Sequence, residues 1–200
     1  MREPMDKQFN QVVLTCCRLY CDDRYDVDAS GVLAPQTYGE LCDYINVRTR
    51  TMVDGRHSEH TVYGDPEVNY AFRAWHDWTH YRLGQPFTRA GEIVVCRAQQ
   101  NLVLYRYGAG IIAEHACAVL WAEIVGQRLY EDRWGAFPEN QRAFVEGFLI
   151  SPQRAIGRPP SDYAARPDWA TDAEAHAWVG DDGRAPAAMP WTPTYDLDRG

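Results

Sequence analysis

The chain has 200 residues, 46% hydrophobic and 12% aromatic, enough for one buried core and too apolar for a disordered chain. Its net charge of −8 and pI of about 5.2 argue against a sequence-independent nucleic-acid binder, which needs a basic face to neutralise phosphates; a small phosphorylated substrate stays open. Six cysteines (Cys16, Cys17, Cys21, Cys42, Cys96, Cys117) include no CxxC pair, and the opening MREPMDKQFN is charged with no apolar run, so the expectation is reduced thiols in a cytoplasmic protein and no cysteine zinc finger.

In chain order, Phe9, Val12, Val13, Cys16, Cys17 and Tyr20 recur at helical spacing and predict a first helix over 8–21. The acidic stretch 22–31 ends it. Within that stretch DVDASG places Asp26, Asp28, Ser30 and Gly31 at positions 1, 3, 5 and 6 of an EF-hand-like loop, with Leu33 at position 8, but position 12 is Thr37 instead of the bidentate Glu. The preferred reading is an acidic turn. A second helix is predicted over 35–47, with Pro35 in its first turn, and 48–64 reads as a loop. Asp65 and Pro66 suit an N-cap and a first helical residue, and Gly84 with Pro86 stops that third helix at Leu83. Thr88 suits the cap of a helix over 89–107; Gly108 and Gly110 break the chain before a long helix over 111–132; and Pro138 opens a last helix over 138–150. The apolar run 109–126 contains Glu114, His115 and Glu123, which rules out an ordinary membrane span. No strand signal is strong and no internal repeat is visible.

These elements predict a mainly α, single-domain helical bundle over 1–156. An extended Pro/Gly-rich arm follows over 157–200, with one short helix near 171–179 and with Trp169, Trp178 and Trp191 to pack on its own domain or on a second subunit in a homo-oligomer.

Candidate chemistry starts at HDWTH. His76 and His80, four apart on a helix, present both imidazoles on one face, the spacing of HExxH zinc sites. Asp77 stands where that motif has its catalytic Glu. Asp is one methylene shorter, so Asp77 is read as a general base or as a carboxylate orienting an imidazole. Glu92, in the first turn of the following helix, can fold back beside His80, and Glu123 lies inside an apolar helix where an unpaired Glu is rare. The expected metal ligands are therefore His76, His80, Glu92 and Glu123, with Asp77 and Glu123 as catalytic candidates, and the cofactor a divalent metal: zinc, iron or manganese. Gln99 and Gln127 fall on the faces of Glu92 and Glu123, in supporting or substrate-binding positions. His115, about 80° around its helix from Glu123, is a reserve ligand. Two histidines at this spacing also arise by chance in an aromatic core helix, so a buried hydrogen-bond cluster without metal is the competing reading.

The segment FRAWHDWTHYRLGQPFTRAGE followed by AEIVGQ resembles a group of bacteriophage-encoded proteins that share an HDxxH or HDxxxH helix, a GE pair and an ExxGQ segment. The match covers about residues 70–130 and rests on His76, Asp77, His80, Gly84, Phe87, Gly91, Glu92, Glu123, Gly126 and Gln127. The resemblance implies a phage or prophage origin and a shared polar site, and no established activity. An HD-type phosphohydrolase fits less well: His57 or His60 could supply its upstream histidine, but the later helices offer Glu where it needs Asp. A ferritin-like di-iron site lacks its two ExxH motifs. The leading expectation is a metal-dependent hydrolase using a metal-bound water, acting on a small-molecule or peptide substrate, with no membrane and no nucleic-acid partner. Non-haem iron oxidation is the close alternative. The other is a non-catalytic structural or host-interaction protein, in the host cytoplasm or the virion.

Overall fold

A computed structural model describes residues 4–164. The arm from 165 onward, including the helix expected near 171–179 and the three tryptophans, lies outside the described residues.

Helix α1 (Lys7–Cys21) opens with Asp6 accepting from the Gln8 N–H and closes with Asp22 in the left-handed region. Helix α2 (Tyr38–Arg48) starts three residues later than expected, because Thr37 and Glu40 form a reciprocal capping box that satisfies the first free N–H groups; Pro35 precedes the helix. Helix α3 (Pro66–Leu83) has the expected Asp65 cap and Gly84 stop, and α4 (Arg89–Tyr107) the expected Thr88 cap. The long helix expected over 111–132 is divided: α5 (Ile111–Trp121), a π-helical turn (Ala122–Gly126) and α6 (Gln127–Trp134). Helix α7 (Gln141–Ile150) is capped by Asn140, so Pro138 again precedes its helix. Helix α8 (Pro152–Gly157) and a 3₁₀ turn (Pro160–Tyr163) follow. The change in composition at 157 does not coincide with the end of packing, since Tyr163 is buried against Tyr130 and Phe144.

Two short strands correct the sequence reading. β1 (Tyr25–Asp28) and β2 (Thr51–Asp54) pair in parallel, Tyr25 opposite Thr51 and Asp28 opposite Asp54, so part of the acidic turn and part of the 48–64 loop are sheet. The carboxylates of the EF-hand-like segment are engaged within the protein: Asp26 pairs with Arg50, and Asp28 accepts from Ser30 and from the Leu33 N–H.

Helix α3 is central, packing on α1, α2, α4 and both strands, with Trp75 fully buried. Among the described residues no helix is long and apolar enough to cross a membrane.

Candidate metal centre

The tight turn between α3 and α4 brings Glu92 back onto the histidine face. Gly84 takes the left-handed cap conformation (φ +64°), and Gly91 accepts the Pro86 carbonyl so closely that a Cβ there would lie 2.0 Å from its oxygen. The GE pair thus has a physical reading: glycine makes room for the returning loop, and the next residue supplies the carboxylate.

His76, His80 and Glu92 converge. The two Nε2 atoms are 3.0 Å apart, and Glu92 Oε2 lies 3.2 Å from His76 Nε2 and 3.3 Å from His80 Nε2. Both other ring nitrogens are committed. His80 Nδ1 donates to the Gln85 carbonyl at 2.8 Å and His76 Nδ1 to Gln99 Oε1 at 3.2 Å. A carbonyl oxygen only accepts, so each Nδ1 carries the hydrogen and each neutral ring turns a lone pair at Nε2 toward the centre. Two lone pairs and a carboxylate oxygen facing one another repel unless a cation sits among them, either a proton on an imidazole or a metal ion. A tetrahedral ion with bonds of about 2.0–2.1 Å holds its donors about 3.3 Å apart, close to all three separations seen here. The three residues form a group that can hold a metal ion.

Electrostatics follow from this packing. Burial alone disfavours a charged His76, but the Glu92 carboxylate, then Asp77 and Gln99, outweigh it and the pKa rises. Burial would raise Glu92, yet His76 and His80 hold it well below the usual carboxylate range. Phe72 stacks on His76, with ring centroids 6.0 Å apart, and Phe87 meets His80 edge-on at 4.8 Å, so the imidazoles are held from their flanks as well.

Glu123 is not in this group but lines the same cavity, of about 350 Å³, with His76 and Glu92. The π-helical turn carries it. Such turns insert an extra residue into a helix and recur at functional sites. Gly126, in the same turn, lies against the Phe148 ring, where a Cβ would come within 2.8 Å. Gln127 Nε2 donates to Glu123 Oε1 at 2.7 Å and the Tyr63 hydroxyl donates to Oε2 at 3.3 Å. Burial outweighs these bonds and pushes the Glu123 carboxyl up to about 7. The cavity wall is completed by Phe72, Phe87, Phe137 and Ile124, and its polar side by Gln36, Arg128 and Glu131.

Two expected site residues stand elsewhere. One residue past His76 a helix has turned by about 100°, and the Asp77 carboxylate accepts from Thr51 Oγ1 on β2 at 3.2 Å; it neither joins the ligand group nor lines the cavity. Burial raises its pKa against the pull of both histidines. His115 is part-exposed on α5 and pairs with Asp6 at 3.1 Å, so the rotation around the helix carries it away from Glu123. Gln99 is hydrogen-bonded to His76 and Gln127 to Glu123. Tyr63, the Gln85 carbonyl and the aromatic wall carry no local sequence signal; of these only Phe87 belongs to the pattern shared with the phage-encoded proteins.

No protein-family model, curated protein or solved structure matches the chain.

Proposed function

We propose that the protein is a metal-dependent hydrolase in which His76, His80 and Glu92 hold one divalent ion and Glu123 moves the proton. The observation that carries this reading is the convergence of three electron-rich atoms at near-ligand spacing, two of them, on His76 and Glu92, from residues that line a cavity shared with a second buried carboxylate, Glu123. A closed structural site engages four protein ligands, whereas three ligands beside a cavity leave a position for water or substrate. The ion would supply a Lewis acid and lower the pKa of a bound water. Glu123, with a pKa near 7, suits a group that takes a proton from water and returns it to a leaving atom at neutral pH. Gln99 and the Gln85 carbonyl fix the tautomer and direction of the two ligand imidazoles.

Two histidines and one carboxylate are also the donor set of non-haem iron oxygenases, which makes oxidative chemistry the second reading. Reconstitution with zinc and with iron(II) in separate samples separates them. The hydrolase reading expects the zinc form to cleave members of an ester and amide panel, and Glu123→Gln to keep the zinc and lose the turnover. Substrate-dependent oxygen uptake by the iron form, with a zinc form inert across the panel, would reverse the order of the two.

A further inference from the structure

We infer that the cavity beside the metal centre takes a neutral carbonyl compound, an amide or ester bearing an apolar or aromatic group, and turns away anionic compounds such as phosphate esters. The inference rests on the hydrolase reading and narrows its substrate class. Its first support is the charge lining the cavity. Among the described residues Arg128 is the one cation on that wall, and it is already engaged by Glu131 at 2.9 Å and Asp132 at 2.8 Å. Asp132 is in turn shared with Arg89 at 2.7 Å. No free guanidinium or ammonium on the described wall is left for a phosphoryl group. Phosphoryl transfer spreads charge over several equatorial oxygens and relies on several cations to hold it. Here Glu92 and Glu123 face the same space, Glu131 offsets Arg128, and one ion offset by Glu92 does not supply that clamp. Cleavage of an acyl bond develops charge on a single oxygen, which one ion can hold.

The second support is shape and polarity. A cavity of about 350 Å³ falls at the small end of ligand sites. Phe72, Phe87, Phe137 and Ile124 are its apolar lining, and Phe137 is half-exposed. An apolar acyl group or side chain buries against those rings while its carbonyl faces the metal centre. In the reaction the oxygen of water forms the new bond to the carbonyl carbon, and the C–N or C–O bond to the leaving group breaks. One water proton passes by way of Glu123 to the leaving nitrogen or oxygen, so neither oxidant nor reductant is consumed.

The test uses three chelators with the same metal-binding head on the full chain loaded with zinc: acetohydroxamate, benzohydroxamate and 4-carboxybenzohydroxamate, titrated by calorimetry with zinc content measured in each sample. Benzohydroxamate is expected to bind about tenfold more tightly than acetohydroxamate, through the aromatic wall, and at least about tenfold more tightly than its 4-carboxy analogue, through the acidic lining. Phe137→Ala, at a half-exposed position, is expected to remove most of the first difference and leave the zinc in place. Equal binding of all three, or preference for the carboxylated probe, by a zinc-loaded protein overturns the substrate inference while the metal centre stands. Failure to load zinc overturns the metal reading, and the inference with it.

Discussion

Two buried carboxylates face one cavity, and their surroundings drive them apart. Glu92, on the first turn of α4, sits between two imidazoles and is held ionised far below the ordinary carboxylate range. Glu123, on the π-helical turn, accepts from the neutral donors Tyr63 and Gln127, and burial raises it to about 7 against those bonds and the more distant pull of Arg73. On the proposed reading, groups separated in this way divide the work: the ionised one would hold the ion and the tunable one would carry the proton.

The comparison breaks most completely at the ligand end. Glu92→Gln removes the charge that the two imidazoles face, and metal affinity is expected to fall by at least about a hundredfold, measured by competition with a chromophoric chelator. At the other end Glu123→Gln is expected to retain metal and lower turnover by about 10²–10⁴-fold. Its stability effect has a definite sign. The folded pKa of Glu123 lies above the ordinary 4.5, so its contribution to stability is fully present below pH 4.5 and is lost as pH rises through about 7. The metal-free Glu123→Gln variant should therefore match the metal-free wild type near pH 4 and exceed it by about 3 kcal/mol at pH 8, read by urea unfolding. Wild type and variant unfolding alike at both pH values would show that Glu123 is an ordinary carboxylate and dissolve the contrast with Glu92.

A smaller effect is expected behind the ligands. Gln99 holds His76 but leaves its own Nε2 buried without a hydrogen-bond partner among the described residues, a cost of about 1–3 kcal/mol. Gln99→Leu should then change stability by less than about 1 kcal/mol, while metal affinity drops about 10–100-fold. A parallel loss of stability and affinity would make Gln99 a packing residue instead. The smallest effect belongs to His115→Ala, which breaks a part-exposed pair with Asp6 and is expected to cost less than about 1 kcal/mol with no change in metal content.

The convergence of His76, His80 and Glu92 was legible in the sequence for a local reason. Four-residue spacing on a helix fixes which side chains share a face, and a short turn bounded by Gly84 and Thr88 leaves Glu92 little choice of direction. Glu123 was legible because a carboxylate within an apolar run must be accommodated somehow. What local pattern cannot carry is the partner on another element. Asp77 reads as a partner of the histidines in the site until β2 is known to run beside it, where Thr51 takes its carboxylate. His115 reads as a reserve ligand until α1 places Asp6 against it. The strands themselves escape because YDVD and TMVD are four residues each and pair across α2, with no alternation long enough to register. The π-helical turn has no periodic signature either, since one extra residue only shifts the phase of an otherwise helical pattern.

Whether His76, His80 and Glu92 hold an ion is decided by elemental mass spectrometry on the 200-residue chain purified without a histidine tag and reconstituted with zinc, beside the His76→Ala/His80→Ala double variant. About one equivalent of divalent metal per chain in the wild type, absent from the variant, is the predicted result. A wild type that takes up none, or a double variant that keeps it, contradicts the account and leaves the three residues as a proton-bridged core cluster.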